Sequence, residues 1–144
     1  MRIVLGLDVG TRRIGVARGD TEVRLASPLE PVMNDGSALD KLVNIIKRND
    51  AKIIVVGLPR NSKGEETKQS LYSRQFADDL GDTLANNNYQ ADIIFQDESL
   101  TSIEAEDILK RDKRHYDDKM LRDGTLDSEA AVIILSDYLE GYKS

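Results

Sequence analysis

Hydrophobic residues gather in short runs separated by Gly, Pro, Asn and charged positions, and the runs change period along the chain. Ile3–Val9 is apolar and rich in branched residues, which predicts a buried strand. Arg13–Arg18 follows a turn at Gly10-Thr11 and predicts a second strand, paired with the first as an antiparallel hairpin. Glu22–Pro28 predicts a third, shorter strand closed by Pro28 and Pro31. Asn34-Asp35-Gly36-Ser37 then supplies turn and cap residues for a helix on which Leu39, Leu42, Val43, Ile45 and Ile46 recur. Ala51–Gly57, with its core Ile53-Ile-Val-Val56, predicts a strand buried on both faces, as in a parallel sheet.

Leu58-Pro59 stops that strand, and Asn61-Ser62-Lys63-Gly64 predicts a polar loop. Glu65–Asn86 carries Leu71, Phe76, Leu80 and Leu84 at helical intervals, Ala91–Gln96 predicts a strand, and Thr101–Arg111 a helix. Asp112–Gly124 is polar and charged and predicts a loop; Asp127–Tyr142 is a closing helix with Ala130, Ala131, Ile134, Leu135 and Tyr138 on one side. A meander of three strands followed by α/β crossovers predicts an α/β fold: a mixed five-stranded sheet with helices packed on its faces. No repeat or linker interrupts the pattern, so residues 1–144 are expected to form a single domain.

Composition narrows the chemistry more than the fold. There is no cysteine, which excludes disulfides and thiolate metal sites and suits a reducing, cytoplasmic setting. No run approaches the roughly 18 apolar residues of a membrane span, and Met1-Arg2 leads straight into a strand, so neither a membrane partner nor a signal peptide is expected. The net charge of −6 argues against a surface coated in nucleic acid, yet permits a local basic patch. It also suits a chain that gathers carboxylates around divalent cations.

Asp8 is the position that demands explanation, because a carboxylate inside an apolar strand is costly unless it is paired, hydrogen-bonded or bound to a metal. Ligands gather at the carboxyl ends of parallel strands. Glu98 stands at such an end, and Asp127 opens the last helix, whose first turn can reach the same place if the helix crosses the sheet. Three bare carboxylates would repel one another and raise their pKa values. A divalent cation removes the conflict, and oxygen ligands without His or Cys favour Mg²⁺ or Mn²⁺. Two such ions about 4 Å apart suit phosphodiester hydrolysis. Taken singly, Asp127 reads more readily as a helix cap than as a ligand, and Asp97-Glu98 as a solvated strand end; the signal lies in the three together.

Four segments together resemble a known family: Leu7-Asp-Val-Gly-Thr-Arg-Arg-Ile-Gly-Val-Ala17, Val56-Gly-Leu-Pro-Arg-Asn-Ser-Lys-Gly-Glu65, Asp97-Glu-Ser-Leu-Thr101 and Leu126-Asp-Ser-Glu-Ala-Ala-Val-Ile-Ile-Leu135. In this order they are similar to the bacterial YqgF/RuvX family, a ribonuclease H-like group described as pre-16S ribosomal RNA nucleases and Holliday junction resolvases. The resemblance implies a ribonuclease H-like fold with helices on both faces of the sheet. It also implies a metal-dependent nuclease with Asp8, Glu98 and Asp127 as its acidic triad, and structured RNA, a 16S precursor, as partner. Two departures stand out: Ser99 replaces the family's usual arginine, and Thr125 replaces a frequent lysine, each removing charge that can hold a phosphate.

Candidate phosphate contacts are Arg12 and Arg13 after the first turn, and Arg60, Asn61 and Lys63 in the polar loop. Lys110-Arg-Asp-Lys-Arg-His-Tyr116 is the densest basic segment and reads either as a flap on a nucleic-acid backbone or as a solvated loop. Three alternatives stay open. A resolvase of DNA four-way junctions would need a homodimer rather than a monomer to cut two strands symmetrically. A catalytically inert binding module would keep the fold without the metal. Asp8-Val-Gly-Thr11 also resembles the first phosphate motif of actin-like kinases, but 144 residues leave no room for their second lobe.

Overall fold

The computed structural model describes residues 1–98 and 125–143; the side chains of residues 125–127 fall outside the description. Five strands form one sheet: β1 (Ile3–Val9), β2 (Arg13–Asp20), β3 (Ser27–Met33), β4 (Ala51–Pro59) and β5 (Asp92–Glu98), in the order β3-β2-β1-β4-β5. β1 pairs with β2 antiparallel and with β4 parallel, and β4 pairs with β5 parallel. The described helices are α1 (Ala38–Arg48), α2 (Lys68–Asn86) and α3 (Thr125–Gly141). The expected helix over Thr101–Arg111 and the expected loop over Asp112–Gly124 lie outside the described residues.

Strand alternation divides the apolar residues between two cores. Leu5, Leu7, Val9, Ile54 and Val56 point to the face covered by α1 and α2, where Leu42, Ile46, Phe76 and Leu80 meet them. Val4, Ile53 and Val55 point the other way and pack on Ala131, Ile134, Leu135 and Leu139 of α3. Helices therefore cover both faces, as expected.

The third strand departs from expectation. Residues 21–23 form a turn, and the strand begins at Ser27 and includes both prolines. β3 is an edge strand, so a proline lacking its N–H can face solvent without breaking a ladder. The long helix starts at Lys68 rather than Glu65. Thr67 and Ser70 form a reciprocal cap, each side chain accepting from the other's backbone N–H. A bridge between Arg60 and Glu66 holds the preceding residues as a closed loop.

α3 lies unusually close to the sheet because small residues floor its path. A Cβ on Gly6 would stand 2.8 Å from Leu135 Cβ and 3.0 Å from the Ala131 carbonyl oxygen, and one on Gly57 would strike Ile134. Buried Ser128 anchors the start of the helix. Its hydroxyl accepts from the Val16 N–H at 3.3 Å and donates to the Leu29 carbonyl at 2.7 Å. It thus serves two backbone groups where the β2–β3 register shifts.

Gly6→Ala should push α3 off the sheet and destabilise the protein by roughly 2–3 kcal/mol. The midpoint of urea unfolding reads that loss. Ser128→Ala leaves a buried N–H and C=O without their partner and should cost about 1–3 kcal/mol in the same measurement.

Candidate active site

Asp8 and Glu98 come together by register. Val4, Gly6 and Asp8 occupy alternate positions of β1 on the α3 face. On β4, Gly57 and Pro59 continue the row of Ile53 and Val55, and Pro59 is opposite Glu98 of β5. Asp8 and Glu98 thus sit at the carboxyl ends of strands on the same face, with β4 between them. The intervening Gly57 makes room for the Ile134 side chain, and both carboxylates line one cavity of about 410 Å³.

The walls of that cavity are largely apolar. Val9, Pro59, Ala130, Ile133 and Ile134 surround the two acids, with Gly10, Thr11 and Gln69 at the rim. Glu98 is the more deeply set: it is 4% exposed, whereas Asp8 is half-buried. The acid singled out from an apolar run is therefore not the most buried one. Glu98 Oε1 has no hydrogen-bond partner among the described residues.

Burial is the main force on the Glu98 carboxyl and pushes its pKa up to about 8. A hydrogen bond to Asp137 and the charge of that residue add to the shift, followed by the charges of Asp8 and Asp97. Asp137 was not singled out from the sequence. The available signal was helical spacing: Ala130, Ile134 and Asp137 succeed one another along one stripe of α3. Gln69 was also missed; from the first turn of α2 its Nε2 donates to the Val9 carbonyl, fixing the strand end beside Asp8.

Asp127 stands in the first turn of α3, beside the anchored Ser128 and three residues before Ala130, which lines the cavity. It is the third residue of the helix rather than its opening one. Its side chain lies outside the described residues, as do Ser99 and the basic segment from Lys110. Among the described residues, no group of three acids or histidines is arranged to hold a metal ion. Asp8 and Glu98 supply two carboxylates of the expected three.

The predicted phosphate contacts divide into two groups. Arg12 is exposed and Arg13 half-buried on the β1–β2 turn, which closes through a 3.0 Å bond from the Gly10 N–H to the Arg13 carbonyl. Arg60 is engaged: its Nη2 lies 2.9 Å, and its Nε 3.0 Å, from Asp97 Oδ1. Its backbone N–H donates to the Glu98 carbonyl at 3.1 Å, extending the strand pairing at the acid. Asn61 Oδ1 accepts from the backbone N–H groups of Lys63 and Glu65, at 2.9 and 3.0 Å, and so shapes the loop. Lys63 is exposed.

Comparisons with known proteins agree with this architecture. A sequence model of the family described as "RuvX: Holliday junction resolvase" matches residues 2–141. A relative from Sulfurihydrogenibium sp. (strain YO3AOP1), named "Putative pre-16S rRNA nuclease", is 39% identical over 140 residues, covering 97% of this chain and 91% of the relative. A relative of the same name from Lactococcus lactis subsp. cremoris (strain SK11) is 35% identical over 149 residues, covering 96% and 94%. Among solved structures, the fowlpox virus resolvase in complex with substrate Holliday junction DNA superposes with a TM-score of 0.55 at 14% identity, covering 96% of this chain and 97% of that one. At that identity the likeness speaks for the fold, which is ribonuclease H-like.

The raised pKa has a sign that can be checked. Between the ordinary glutamate value of 4.5 and about 8, the folded protein holds a proton that the unfolded chain has released. Stability should therefore fall as pH rises through that window. Thermal melting of metal-free protein from pH 5 to 8 should show the decline, and Glu98→Gln should flatten it. An unchanged slope in that variant would assign the decline to other groups.

Proposed function

The chain belongs to the RuvX family, and from that membership and the paired acids of the cavity we propose that it is a divalent-metal-dependent nuclease. It hydrolyses phosphodiester bonds of structured RNA in this reading, with the 5′ end of a 16S ribosomal RNA precursor as substrate. The names of relatives covering nearly the whole chain support the RNA assignment. Work on a ribosomal precursor would place the protein in the cytoplasm.

The observation that carries the proposal is Glu98. A buried carboxylate oxygen without a partner among the described residues, in the same cavity as Asp8, is costly as a bare anion and suits a hard cation. The donor set is all oxygen, which fits Mg²⁺ or Mn²⁺ and disfavours softer metals. Asp8, Glu98 and Asp127 are the proposed ligands and catalytic residues. Ions held by these three residues, two in this reading, would supply water activation and stabilisation of the leaving oxygen.

The chain's own contribution is position and environment. β1, β4 and β5 hold the acids at the ends of a paired sheet, so little reorganisation is needed at the moment of reaction. Apolar walls limit bulk water and strengthen every charge interaction inside. Arg12 and Arg13 supply positive charge beside the acids, where a substrate backbone enters. Lys63 and the loop shaped by Asn61 offer a second contact, and Arg60 would exchange Asp97 for a phosphate to join it.

A DNA four-way junction is the second reading, favoured by the description of the family itself. It requires two active sites acting together, and hence a homodimer.

Labelled 16S precursor RNA and a four-way DNA junction, each with Mg²⁺ or Mn²⁺, separate the two. RNA cleavage by wild type should fall at least about 100-fold in Asp8→Asn and in Glu98→Gln, since losing mere supports of metal ligands already costs 10- to 100-fold. Equal cutting by wild type and variants would remove the acids from the reaction. Paired nicks in the junction, with RNA left whole, would transfer the activity to DNA.

A further inference from the structure

Two shallow depressions continue from the acidic cavity across the surface. The first, of about 740 Å³, shares Gly10 and Thr11 with that cavity and adds Arg12, Arg13, Met33 and Asn34. The second, of about 280 Å³, shares Asn34 and is walled in part by Tyr72. Met33, beside the two arginines in the first depression, is 51% exposed, and Tyr72 in the second is 40% exposed.

Asn34 ties these parts together. Its backbone N–H donates to the Arg12 carbonyl at 2.8 Å, and its Nδ2 reaches both the Gly10 carbonyl and Tyr72 Oη at 2.8 Å. The residue that braces the arginine turn thus also tethers the tyrosine ring by its hydroxyl. A tethered ring sacrifices less freedom when a flat partner stacks on it.

We propose that this continuation binds an unpaired segment of the nucleic-acid substrate next to the cleaved bond. Arg12 and Arg13 meet its phosphates, and Tyr72 and Met33 take its bases. The inference rests on the nuclease reading and extends it from the reacting bond to the flanking strand. Single-stranded character follows from the chemistry: a base offers its flat face to a side chain when it is free of a duplex stack, and arginines followed along a groove by an exposed aromatic serve that recognition. The track is short. Asp35 and Asp79 line the depression beyond Tyr72, where their carboxylates would repel a further phosphate.

Fluorescence anisotropy tests this with a labelled ten-nucleotide single-stranded RNA and a duplex of the same sequence. All proteins carry Asp8→Asn so that the probes stay whole. The single strand should bind more tightly than the duplex. Tyr72→Ala should weaken single-strand binding about 5- to 100-fold, the worth of one base stack, and leave duplex binding unchanged. Tyr72→Phe, which keeps the ring, should stay within about threefold of its parent. Met33→Ala gives the same comparison should circular dichroism show Tyr72→Ala unfolded.

Unaltered single-strand binding in the alanine variants, or equal losses for both probes, would overturn the proposal. Cleavage by protein with Asp8 intact is scored separately. Stacking-dependent binding without cleavage by that protein overturns the nuclease reading and upholds the track. Cleavage together with binding indifferent to Tyr72 and Met33 overturns the track alone.

Discussion

Much of this molecule follows from setting Glu98 almost out of solvent, at the floor of a largely apolar cavity. A carboxylate 4% exposed, with one oxygen unpartnered among the described residues and Asp8 and Asp137 nearby, opposes its own ionisation. Such a group is tolerated when its surroundings are rigid and its charge is met by something else. The ends of three adjacent strands supply the rigidity, and in the proposed function a divalent cation meets the charge. Stability is held back locally in a form that a bound ion can return.

That arrangement depends on α3 lying close to the sheet. Gly6 and Gly57 leave room for Leu135 and Ile134, and Gly57 and Ile134 both line the cavity of Asp8 and Glu98. Gly57 therefore serves both packing and the cavity. Ser128 then fixes where the helix begins, by satisfying a backbone donor on β2 and an acceptor on β3. Since Asp127 precedes Ser128, the anchor also sets the position of the Asp127 backbone.

A net charge of −6 is compatible with nucleic-acid recognition because the relevant charges are local. Arg12 and Arg13 project from a turn next to the acids, and Asn34 braces that turn from β3's end. The opposite side of the cavity is organised differently. There Arg60 is held by Asp97, and Asn61 turns its side-chain oxygen to its own loop. The two rims thus differ: Arg12 is exposed on one, and Arg60 is held by a neighbouring carboxylate on the other.

The strands and helices of this chain were largely readable from apolar periodicity, because burial on one face or two leaves a period that single residues cannot disguise. Asp8 was readable for the same reason: a charge inside a strand pattern has few bland explanations. β3 was misplaced, since prolines end most strands and only sheet order reveals an exposed edge that accepts them. The depth of Glu98, the nearness of Asp137 and the union of Arg12, Asn34 and Tyr72 had no local signature. They arise from strand register, from the gap at Gly57 and from where α2 and α3 cross the sheet. Sequence determines which residues prefer water and at what interval; distance between residues remote in the chain is decided when both faces of the sheet are covered at once.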